Sequence, residues 1–86
     1  MLVRYDEKLK KGTVYKLTKK LGDINPEDLY VLCTEVGDFH IFNQFIVLNV
    51  SGVYSETVEI GEKVRWRRDL FDYHEVSKNK YPEYYI

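Results

Sequence analysis

Apolar residues along this chain recur mostly in the period of a strand. After Gly12, the run Thr13-Val14-Tyr15-Lys16-Leu17-Thr18 alternates and places Thr13, Tyr15 and Leu17 on one inward face. Residues 22–28 collect Gly, Asp, Asn and Pro and read as a loop, with Asn25 pushed out of the helical region by Pro26, where a single helical turn could begin. Residues 29–36 form a strongly apolar run that leads through Gly37-Asp38 into 39–42. A Gly-Asp pair suits a two-residue primed turn, so this is the clearest predicted hairpin. Residues 45–50 are almost all apolar, the pattern of a strand covered on both faces, and belong at the centre of a sheet.

Ser51-Gly52 supplies a further turn, and 53–60 alternates with Tyr54, Glu56, Val58 and Ile60 in one register, which predicts a second hairpin. After Gly61 the alternation sends Val64 and Trp66 inward and Lys63, Arg65 and Arg67 outward, although the first turns of a helix could also be written here. Asp69 supplies an N-cap for a short helix over 69–76, in which Leu70, Tyr73 and Val76 share helical spacing. Together these elements predict a mainly β domain: a small five- to six-stranded antiparallel barrel, SH3-like or OB-like, with one short C-terminal helix. Residues 1–86 form one domain in this reading, with 77–86 an aromatic tail.

Composition sharpens the picture. The 86-residue chain contains no alanine, while 15% of it is aromatic, so strand formers outweigh the best helix former. A chain of this length supports one modest core. Its one cysteine, Cys33, has no internal disulfide partner, and charged residues soon follow Met1 where an export signal would be apolar; the expected location is cytoplasmic. Net charge is −1, yet it is unevenly spread: no Lys or Arg occurs from Leu21 to Glu62, while eight acids do. An acidic middle and basic ends follow, the former suited to a partner protein with a basic surface.

Candidate chemistry is sparse. There is no phosphate loop, dinucleotide fingerprint, nucleophile elbow or paired-His zinc helix, and no metal or cofactor is expected. His40, His74 and Cys33 are the soft ligands, too scattered to define a tetrahedral site by spacing. His40 reads as a half-exposed strand residue, and Cys33, inside an apolar run, reads as a small hydrophobe. No nucleophile, base and oxyanion donor can be named together, so the chain reads as non-catalytic. Residues 63–68 are the one dense basic cluster; Lys63, Arg65, Arg67 and Arg68 could neutralise phosphates around Trp66, which leaves nucleic-acid binding open as the alternative. The leading expectation is protein recognition. Eight tyrosines exceed what so small a core can bury, and Tyr81, Tyr84, Tyr85 and Ile86, with Arg65 and Arg67, are the predicted contact residues. The tail either anchors a partner or a second copy of the chain, or packs back to cover an open edge of the barrel.

In residues 29–32 (Leu-Tyr-Val-Leu) and 46–60, where a strand leads through a Gly-containing turn into a second strand of similar polarity, the chain resembles small, largely uncharacterised β-rich accessory proteins of tailed bacteriophages. The resemblance covers about half the chain and carries no functional residue with it. It implies a non-enzymatic effector that binds and modulates or inhibits a host protein complex.

Overall fold

The computed structural model describes residues 9–20, 26–37 and 42–85. Among the described residues there are five strands, β1 (Val14–Lys20), β2 (Leu29–Val36), β3 (Phe42–Asn49), β4 (Lys63–Arg67) and β5 (Phe71–Glu75), with short 3-10 helices at Gly52–Glu56 and Pro82–Tyr84. They form one antiparallel sheet in the order β4-β3-β2-β1-β5. The apolar run of β3 is interior, as its composition predicts, although β2 holds the middle.

Four local expectations are corrected. Val36 lies opposite Asn43 in the β2–β3 ladder, so the connection is longer than a two-residue turn at Gly37-Asp38; residues 38–41, including His40, lie outside the described part. Residues 53–60 are not a strand. Gly52 adopts φ +68°, the chain turns into the 3-10 helix, and Tyr54 and Val58, four residues apart, both enter the core while Ile60 stays exposed. The apolar spacing there is one turn of a coil, which an alternating reading mistakes for a strand face. Finally, the short helix over 69–76 is replaced by β5, where Phe71 and Tyr73 point inward and Asp72 outward. Asp69 does not cap a helix; its carboxylate binds the Arg67 guanidinium at 3.1 and 3.2 Å. At Pro26 no helical turn begins: residues 27 and 28 bend directly into β2.

Period-two alternation divides the apolar residues between two faces. The inner face carries the main core, built on Tyr15, Leu17, Val31, Phe45, Val47 and Tyr73. On the outer face, Val14, Tyr30 and Val76 form a second, smaller cluster with Leu32 and Leu48, which the tail covers. Thus the middle strands are apolar on both sides, as their sequences require.

β4 and β5 occupy opposite edges, yet only residues 68–70 connect them. A flat five-stranded sheet would separate its edges by about 19 Å, whereas four Cα steps reach about 14 Å at most. The sheet must therefore curl, and side chains record it. The rings of Phe45 on β3 and Tyr73 on β5 stack with centroids 5.6 Å apart, Trp66 on β4 meets Phe71 at 5.0 Å, and the Tyr73 hydroxyl donates to the Arg67 carbonyl at 2.9 Å. Backbone ladders leave the sheet open at β4 and β5.

Candidate functional site

β4 carries the basic cluster, and its alternation decides which cations are available. Val64 is buried and Trp66 half-buried, the indole lying 6.3 Å from Phe45 and 5.0 Å from Phe71 between ring centroids. Lys63, Arg65 and Arg67 stand exposed on the other face. Arg68 departs from the expectation: in the turn after β4 it is buried, 9% exposed, and so is withdrawn from any contact with phosphates. Trp66 is likewise turned toward the core, half-buried against Phe45 and Phe71.

Cross-strand register supplies what surrounds the three outward cations. Lys63 lies opposite Ile46, Arg65 opposite Gln44 and Arg67 opposite Phe42. Directly opposed residues project to the same side of the sheet, so Phe42 shares the basic face, and it is 56% exposed. Sequence reasoning missed this residue by assigning it to the arm of a tight hairpin. Counting back in twos from Ile46 would have placed it on the outer face. Arg67 is paired with Asp69, whereas Lys63 and Arg65 have no ion-pair partner among the described residues.

The backbone of β4 is also available. Val47 N–H donates to the Glu62 carbonyl at 3.0 Å, which sets the phase of the β3–β4 ladder: Val64 and Trp66 exchange bonds with β3, and Lys63 and Arg65 turn their peptide groups toward the free edge. Cations on an edge strand oppose edge-to-edge pairing between identical chains.

The tail takes a different place from that of a free anchor. Tyr81 and Tyr84 lie 5.9 and 4.9 Å from the ring of Tyr30, and Asn49 Nδ2 donates to the Tyr84 hydroxyl at 3.3 Å. The Tyr85 hydroxyl donates to the Val76 carbonyl and accepts from Val14 N–H at 3.4 Å. All three rings are half-buried on the chain's own sheet. Ile86 lies outside the described residues.

The remaining candidates stay apart. Cys33 is fully buried, and burial pushes its thiol up to about 11, far from a reactive thiolate. His74 is hydrogen-bonded to the Thr18 hydroxyl at 2.8 Å. Among the described residues no group of three His, Cys, Asp or Glu side chains converges as a metal site, and no helix is long and apolar enough to cross a membrane. No family model, curated protein or solved structure matches the chain.

Proposed function

We propose that the chain is a non-catalytic, cytoplasmic protein-binding module that takes an extended acidic segment of another protein along the free edge of β4. The observation that carries this is the coincidence, at one edge of the sheet, of unpaired peptide groups and the exposed cations Lys63 and Arg65 on β4 with the apolar ring of Phe42 on the same face of neighbouring β3. An added strand would gain main-chain hydrogen bonds from the edge, while alternate side chains meet the cationic and aromatic surface. The curled sheet is read as an SH3-like barrel, because β1–β4 form an antiparallel meander and β5 returns to pair with β1. The phage resemblance extends the proposal to an effector that modulates or inhibits a host protein complex.

A nucleic-acid module is the second reading, favoured by Phe42 as a stacking face beside Arg65. It is weakened by the inward Trp66 and Arg68 and by the Arg67–Asp69 pair. One experiment separates the two: fluorescence anisotropy with a labelled ten-residue peptide alternating Glu and Val, its Lys–Val counterpart, and a thymidine oligonucleotide. The expected result is binding of the Glu–Val peptide alone, weakened at least tenfold by Arg65→Glu and by added salt. Hydrogen exchange should slow at the Lys63 and Arg65 amides when that peptide is added. Preference for the oligonucleotide or the Lys–Val peptide, or insensitivity to Arg65→Glu, overturns the reading.

A further inference from the structure

The outer-face cluster is built from two parts that differ in how firmly they are held. One is the sheet itself, through Val14, Tyr30, Leu32 and Leu48; the other is the tail, through Tyr81, Tyr84 and Tyr85. The main core draws no residue from 77–85. Ser77, Lys78, Asn79 and Lys80, which join the tail to β5, are all exposed and held as a turn by their own short-range bonds: Lys80 N–H and Tyr81 N–H to the Ser77 carbonyl at 3.2 and 3.0 Å, and Asn79 N–H to the Ser77 hydroxyl at 3.2 Å. Lifting the tail therefore breaks one small cluster and leaves the larger one whole, while uncovering an apolar strip that water does not solvate well.

We infer that the outer face of β1–β3 is a docking groove for a tyrosine-rich segment, filled in cis by the chain's own residues 81–85 and exchangeable in trans with the same segment of a second copy. The second copy is the occupant because the groove's complement is already known in atomic detail: two rings on Tyr30, a hydroxyl on Asn49 and a hydroxyl on the Val14 and Val76 backbone. Exchange remakes every one of these contacts between copies, so its net cost lies in association and in straightening the turn. Straightened, that four-residue turn spans roughly 13 Å. The surface is distinct from the β4 edge, and the two proposals stand or fall separately.

The test uses the full chain. Deleting Lys78 and Asn79 makes the turn too short for docking in cis while keeping every groove and tail ring. The expected product is a dimer, with twice the monomer mass by light scattering. Adding Tyr84→Ala and Tyr85→Ala to that deletion should return it to a monomer. In parallel, a labelled peptide of residues 77–85 should bind a Tyr81→Ala, Tyr84→Ala full chain at least tenfold more tightly than the wild type, because the weakened tail competes less. A monomeric deletion variant, or a peptide that does not discriminate, overturns the inference. Loss of the folded state in these variants also overturns it, since the groove must stand without its own tail.

Discussion

Glycine is used here for two unlike reasons, and the difference can be measured. A Cβ on Gly37 would fall 1.9 Å from the Phe42 carbonyl oxygen, a backbone atom that cannot move aside, whereas Gly61 has open space around it but adopts φ +89°. Gly37→Ala should therefore cost about 3 kcal/mol through displaced backbone, and Gly61→Ala about 1 kcal/mol through left-handed strain. Urea denaturation of the two variants checks the order; equal losses would contradict it. Sequence reading marked Gly37 as a turn former and missed its purpose, because the approach of Phe42 depends on where β3 begins. The outward placement of Lys63, Arg65 and Arg67 was legible, since Val64 and Trp66 fix the phase of β4. The inward Arg68 was missed because its charge was read in place of its position: counting on in twos from Val64 and Trp66 puts it on the inner side, where it is buried.

Among the elements, β5 and the segment after β3 show how short aromatic runs mislead. Phe71-Asp72-Tyr73 can be written at helical or strand spacing, and five residues are too few for period alone to choose. Tertiary pairing chooses: Tyr15, Lys16 and Leu17 of β1 lie opposite Glu75, His74 and Tyr73. The Tyr73 hydroxyl then ties β5 to the end of β4 through the Arg67 carbonyl. That carbonyl also accepts from Leu70 N–H at 3.2 Å, so Tyr73→Phe leaves it satisfied. The variant should lose about 1 kcal/mol in urea denaturation, and a loss several times larger would mean that the hydroxyl holds more than this one contact. The tail's place was only half legible. Its aromatic content announced that it would not remain in water, but its target face became visible only once β1 to β3 were side by side.

For the molecule as a whole, burial of weak acids makes alkaline pH the vulnerable side. Burial raises the Cys33 thiol from about 9 to about 11, and desolvation raises the phenols of Tyr15, Tyr30, Tyr54 and Tyr73 above their ordinary value. Each group keeps its proton longer when folded, so the unfolded chain binds fewer protons above pH 9 and stability must fall as pH rises. The thiol alone contributes a loss on the order of 2 kcal/mol between pH 9 and 11, with the phenols adding to it above 10. The urea midpoint should be flat from pH 7 to 8.5 and then decline, less steeply between 9 and 10 in Cys33→Ala; a midpoint that rises across this range would refute the account. The pairing of β1 with β5 has a further consequence for biosynthesis. Of the five strands, β5 is the last to be translated, so a growing chain can assemble the β1–β4 meander but must leave β1 with a bare flank until β5 has left the ribosome. Translation stalled or cut short before residue 71 would yield a sticky, half-finished sheet, which makes prompt completion of each polypeptide part of how this protein avoids aggregation.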